Sequence, residues 1–422
     1  MTVLSGFSGL VFGGLIVLLV GLRFRSVAVP LWTAFGLRTA FSLIHYFGIW
    51  MVPGGRADAV SFEKKAAEYA QLPWPDFLAA FNHASSYVFS WFGAVLYKVF
   101  GVSPLLFTSI NVLLGSLIIP ITYWLAIRLF DRRVALFSAW VTALMPFAVF
   151  YSSVLLREVA SIFPFMLGLV AVTYWIERPR LLHAATAVML FAVASVFHGG
   201  WAVAIVGFAL VALREHVSAL LQGAQTGRPR VRMLLASTTV VIFVGLAAAI
   251  AIAASLRLGS MGAIDQLVMG GGDTFRETAT EETRGGSAYP AFVAGIDPVT
   301  QPWGVPLRIA YFLFSPFPWD IATLRHLQGL VATAAFLAVA IGIWRGRERI
   351  RGNRRAQAVL FITGAMVFVF AFGTTNIGTS IRHRTKFFFA LAALACGPIL
   401  RKRLVWRSRS APATSRPRTP DS

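Results

Sequence analysis

The chain has 422 residues, of which 57% are apolar and only 13% charged, with mean hydropathy +0.71 and a formal net charge of +21. Soluble domains carry about 25% charged residues, so this composition excludes an ordinary soluble globular domain. The positive charge reads as the basic bias of membrane-protein cytoplasmic loops and as contact with anionic lipid, not as a nucleic-acid surface. The single cysteine, Cys396, excludes a disulfide framework or a cysteine metal site.

Apolar runs of about 20 residues are expected to cross a bilayer as helices. In chain order they fall at roughly 4–22, 28–52, 105–129, 133–152, 159–176, 181–197, 199–214, 234–256, 326–345, 356–374 and 385–400. The first lacks a basic leader and a small-residue cleavage site, so it reads as a span or signal anchor. Arg38 lies well inside the second run. An unpaired charge there costs at least about 2.5–3.5 kcal/mol, so it must pair or face water.

After the second run comes "PGGRADAVSFEKKAAEYAQLPWPDF", with Asp58, Glu63, Glu68 and Asp76, four of the seventeen acidic residues. The next apolar stretch, "SSYVFSWFGAVLYKVFG" (Ser85 to Gly101), is expected to lie in the interface, not to span. Leaving it out brings the basic clusters near Arg23, Asp131, Glu177, Arg228, Arg345 and Arg401 to one side, as the positive-inside rule requires. The expected layout has eleven spans, N-terminus outside and C-terminus in the cytoplasm. Twelve of the seventeen acidic residues then lie outside. The excess of Arg over Lys points to a GC-rich bacterial genome, so the expected location is a bacterial cytoplasmic membrane.

Further along, "VLLREVA" places Glu158 in a short outer turn between two spans, and "VFHGGW" suspends His198 near the outer end of another. The second long outer segment, about 257–325, holds the polar "GGGDTFRETATEETRGGS" (Gly270 to Ser287). It also holds "PLRIAYFLFSPFPWD", with Arg308 and Asp320. The latter is too short and proline-rich for a span, and reads as a re-entrant or interfacial piece. "NIGTSIRHRTKFF" sets Arg382, Arg384 and Lys386 at the outer mouth of the last span, against the basic bias. Residues 1–400 thus read as one multi-span domain with external loops at 53–104 and 257–325. The tail 401–422 reads as a disordered basic cytoplasmic segment.

The order of these features resembles the GT-C superfamily of membrane glycosyltransferases, and within it the protein O-mannosyltransferase and lipid A aminoarabinose transferase branch. The resemblance rests on "DAVSFEKKAAEYA" with Asp58, Phe62 and Ala66, then "WFGAVLYKVFG", then "SINVLLGSLIIPITYWLAIRLFDRRVAL". It continues through "ALMPFAVFYSSVLLREVASIF" and, near the end, "SIRHRTKFFFALAALACG". Asp58 stands alone here, between Ala57 and Ala59, where the family often has a pair of acids.

The resemblance implies an all-α polytopic fold and transfer of a sugar from a polyprenyl-phosphate donor to a lipid-linked or cell-envelope glycan acceptor. Independently of it, such chemistry needs a carboxylate base, cations for the departing phosphate, and a groove for the lipid. Asp58 is the candidate base, against a loop cap or a pair with Arg56. Glu158 is a candidate second acid, against a pair with Arg157. Arg382, Arg384 and Lys386 are candidate phosphate ligands, against binding of ordinary headgroups. Arg38, His198, Arg308 and Asp320 are possible substrate contacts, His198 reading first as a packing histidine. No cofactor is expected, and no metal is indicated. A lipid-linked polysaccharide polymerase or ligase, and a lipid-glycan transporter, remain as alternatives.

Overall fold

Proline, glycine and charged joints break the apolar runs into helices in a computed structural model of the chain. The structure describes residues 2–56, 58–226, 238, 242–247, 288–296, 301–321 and 324–409. Among them are α1 (Thr2–Arg23), α2 (Ala28–Tyr46), α3 (Asp58–Gln71), α4 (Trp74–Ala80) and α5 (Val88–Phe100). Next come α6 (Pro104–Leu129), α7 (Arg132–Leu144), α8 (Pro146–Ser152), α9 (Glu158–Glu177), α10 (Leu181–Phe197) and α11 (Val203–Thr226). Within the second outer segment stands α12 (Val305–Phe314), followed by α13 (Leu324–Arg345), α14 (Arg354–Phe372) and α15 (Ile377–Arg409). The described residues form no strand beyond one isolated bridge, Ala288 with Asn376.

Local chemistry sets the helix starts. Ser103, Asp131 and Asn353 each cap the amides of the following turn, and proline occupies the first position of α6 and α8. Pro146 also bends the expected span at 133–152. The run becomes α7 and α8, with a 60° angle between them.

Seven helices among the described residues are long and apolar enough to cross a membrane, or eight if α7 and α8 count as one. α10, expected as a span, is a shorter apolar helix of 17 residues. The expected span at 385–400 falls within α15, and residues 401–409 of the expected tail continue that helix. Most of the expected span at 234–256, the stretch 270–287 and residues 410–422 lie outside the described residues.

α6 is apolar all round and sits at the centre, packed by α1, α2, α7, α9 and α15. At one end of the bundle the basic clusters meet. Arg128 pairs with Glu177 at 2.5 Å, Arg355 pairs with the same carboxylate, and Arg132 donates to Ser26 at 3.0 Å. Asn353 donates to the Leu129 carbonyl at 2.7 Å.

α3, α4 and α5 pack together at the opposite end. α5 has 13 residues, so it reaches about 20 Å, short of the roughly 30 Å hydrocarbon core. It lies against α3 and α4 through Ser90 to the Phe62 carbonyl and Trp91 to the Phe77 carbonyl, both 2.8 Å. Lys98 donates to the carbonyls of Ala70 and Leu72 at the end of α3, where the helix dipole favours a cation.

Candidate active site

Three helix starts converge at the end of the bundle that carries α3. Asp58 is the first residue of α3 and Glu158 the first of α9, positions that favour an acid. α15 supplies Arg382 and Lys386, four residues apart and therefore on one face. Arg382 pairs with Asp58 through Nη1, and its Nε lies 3.2 Å from Glu158 Oε1. Lys386 Nζ lies 3.9 Å from the same oxygen. The two acids differ in setting: the Glu158 side chain is 3% exposed and that of Asp58 is 49% exposed. The cluster therefore opens outward at Asp58 and is closed at Glu158.

The loop 153–157 that delivers Glu158 is fixed from α6. Asn111 donates to the carbonyls of Val154 and Leu156 at 2.7 and 2.8 Å. Sequence reasoning did not single out Asn111, although one amide buried in a long apolar run is the available signal. Arg157, beside Glu158, donates to the Ser86 carbonyl at 3.1 Å. Burial lowers its guanidinium from the ordinary value, while Glu158 draws it back up.

Behind the ion pairs lies a cavity of about 10 Å³, room for one water, bounded by Gly115, Tyr151, Ser152, Glu158, Arg382 and Lys386. A Cβ at Gly115 would sit 2.5 Å from Ser152 Cβ and 3.1 Å from Arg38 Nε, so glycine lets α2, α6 and α8 close here. Arg38 is fully buried and donates to the Ala34 carbonyl at 3.1 Å, while its Nε and Nη2 have no hydrogen-bond partner. The immediate cluster holds two carboxylates against Arg382, Lys386 and Arg157, with Arg38 close behind. That excess of positive charge suits an anion.

The other expected site residues lie elsewhere. Arg384 turns to the opposite side of α15, donating to the Leu313 carbonyl at 2.6 Å and to Thr333 Oγ1 at 3.2 Å. It joins α12 and α13 to α15 and is not part of the cluster. Arg308 donates to the carbonyls of Ile296 and Phe372 at 2.8 and 2.9 Å, tying the outer segment to α14. Asp320 accepts from the Phe317 amide at 2.9 Å and caps its own turn. His198 packs on Phe370 with ring centroids 5.1 Å apart and meets His383 edge-on at 5.7 Å. Among the described residues no three His, Cys, Asp or Glu side chains are placed to hold a metal ion.

No family profile matches the chain, and no curated protein does. Solved structures are similar in fold. One is the archaeal oligosaccharyltransferase AglB from Archaeoglobus fulgidus, in complex with an inhibitory peptide and a dolichol-phosphate. It matches at 14% identity and TM-score 0.50, over 95% of this chain and 53% of that one. Another is the Archaeoglobus fulgidus oligosaccharyltransferase tethered to an acceptor peptide, at 15% identity and TM-score 0.51, over 93% and 51%. The chain spans about half the length of these structures. The architecture is therefore an all-α, polytopic membrane fold similar to that of these oligosaccharyltransferases.

Proposed function

We propose that the chain is a membrane glycosyltransferase. It moves a sugar from a polyprenyl-phosphate donor to a hydroxyl of a lipid-linked or cell-envelope glycan, on the outer face of a bacterial cytoplasmic membrane. The observation that carries this reading is the meeting of Asp58, Glu158, Arg382 and Lys386 at one bundle end. The fold likeness adds to it, since the solved oligosaccharyltransferase holds a dolichol-phosphate. The protein O-mannosyltransferase and aminoarabinose transferase branch remains the branch its motifs resemble.

Arg382 and Lys386 receive the donor phosphate, where negative charge grows as the glycosidic bond breaks. In the free protein Arg382 is engaged by Asp58 and Glu158. A phosphate competes for that guanidinium and releases Asp58 toward the acceptor. Asp58 then takes the hydroxyl proton as the acceptor oxygen bonds to the anomeric carbon. The phosphate leaves with the electron pair of the broken bond. A single displacement of this kind inverts the anomeric centre. Glu158, buried, holds Arg382 and Lys386 in place. Donor occupancy and base release are in this way one event.

The test is transfer from synthetic polyprenyl-phosphate sugars by purified protein. Asp58→Asn should insert and fold normally, bind donor, and turn over about 10²-fold more slowly or worse. Near wild-type turnover in Asp58→Asn would end this reading. A polymerase or ligase that works through clustered outer arginines is less well supported, because Arg384 points into helix packing.

A further inference from the structure

A second cavity lies on the other side of α3 from the ion cluster. The helical turn places Ala59, Val60 and Glu63 away from Asp58, and these three face the C-terminal end of α2 and the start of α6. The space is about 270 Å³. Ser42, His45, Glu63, Thr108 and Ser153 line it, with Leu105 giving an apolar patch.

The lining has a definite chemistry. Ser42 is 1% exposed, yet its hydroxyl has no hydrogen-bond partner, and His45 Nδ1 has none either. Buried polar atoms are normally satisfied, so two unsatisfied ones on one cavity wall call for a polar ligand. The hydroxyls of Thr108 and Ser153 already donate to the Pro104 and Val149 carbonyls, which leaves their lone pairs to accept. Burial pushes the Glu63 carboxyl up from its ordinary value. A Cβ at Gly55 would fall 2.3 Å from His45 Cε1, so the glycine loop is pressed onto the imidazole and fixes it. Among the described residues neither Lys nor Arg lines the cavity.

Clustered donors and acceptors without a cation, beside an apolar patch, match a sugar ring, with its hydroxyls and its C–H face. The cations that suit a phosphate gather in the ion cluster instead. Resting on the transferase reading above, we propose that this cavity is the acceptor subsite and binds a neutral sugar residue of the acceptor glycan, held by Ser42, His45 and Glu63. α3 then separates the two substrates, with Asp58 at its tip between them.

The experiment reads occupancy without catalysis. Val60 lines the cavity and is 57% exposed. Val60→Cys in a Cys396→Ser background, in nanodiscs, is labelled with a soluble maleimide. Labelling is followed against methyl glycosides of neutral hexoses and pentoses up to their solubility limits, and against inorganic phosphate. At least one glycoside should slow labelling, about tenfold once it exceeds its Kd about tenfold. Phosphate should not slow it. Ser42→Ala with Glu63→Gln should remove the protection, and Asp58→Asn should leave it intact. Equal protection by phosphate, or no protection by any glycoside, overturns the inference. If glycosides protect while Asp58→Asn retains full turnover, the transferase reading falls and a sugar site stands. If Asp58→Asn loses turnover while no glycoside protects, only the acceptor subsite falls.

Discussion

Arg382 and Arg384 are two residues apart on one helix, and their substitutions should separate cleanly. Arg382 holds Glu158, whose side chain is 3% exposed. Removing one partner of a buried pair costs about 3–5 kcal/mol, because the other charge is left uncompensated. Arg382→Ala should therefore lower the thermal midpoint and abolish transfer. Arg382→Lys should keep the fold but lose the fork that grips two carboxylates at once, with a higher donor KM. Arg384 binds the Leu313 carbonyl and Thr333, and its Cζ lies 5.3 Å from the Phe336 ring centre. Arg384→Ala should lower the thermal midpoint while the folded fraction keeps its donor KM. A raised donor KM in a well-folded Arg384→Ala protein would return that residue to the phosphate site. The sequence already marked Asp58, Glu158, Arg382 and Lys386, because charges beside apolar runs stand out. The difference between positions 382 and 384 was available from helical spacing alone. What faced each of them was not, since the partners come from distant segments. Glu63 carries no distinguishing mark in the sequence for the same reason, as α2 and α6 enclose it only in three dimensions.

The loop between α8 and α9 shows how one element disciplines another. Its carbonyls at Val154 and Leu156 are bound by a single amide, Asn111 on α6. Asn111→Ala should cost about 1–3 kcal/mol by leaving the buried Leu156 carbonyl unpaired, the Val154 carbonyl keeping the Leu156 amide, and should free Glu158 to wander. The expected result is a fall in kcat with donor KM little changed, measured in the transfer assay. An unchanged kcat would mean that the loop is held by its neighbours and not by the asparagine. Helix positions were readable from hydropathy and from the caps at Ser103, Asp131 and Asn353. The break at Pro146 was also written in the sequence, yet a continuous apolar run around it reads as one span. Its bend brings Tyr151 and Ser152 to the wall of the small cavity behind the ion cluster.

Across the whole bundle, charge sorts the two ends. Arg132 with Ser26, Arg128 and Arg355 with Glu177, and Asn353 with Leu129 gather the basic joints at one end. Asp58 and Arg382 meet at the other. This separation follows the positive-inside pattern read from the sequence. In intact cells, Ser61→Cys should react with a membrane-impermeant reagent and Arg349→Cys should not. Reaction at Arg349→Cys with protection at Ser61→Cys would invert the orientation. The Asp58–Arg382 pair also spans 324 residues of chain. At about 5–20 residues per second, a ribosome needs roughly 15–65 s to make the second partner after the first. Glu158, made partway through that interval, waits a further 224 residues for the guanidinium that neutralises it. A nascent chain thus carries an acid at the mouth of α9 whose ion-pair partners come from α15. Synthesis of α15, more than of any earlier segment, brings Arg382 and Lys386 to Glu158, so a ribosome stalled before α15 leaves a chain whose buried carboxylate lacks both partners.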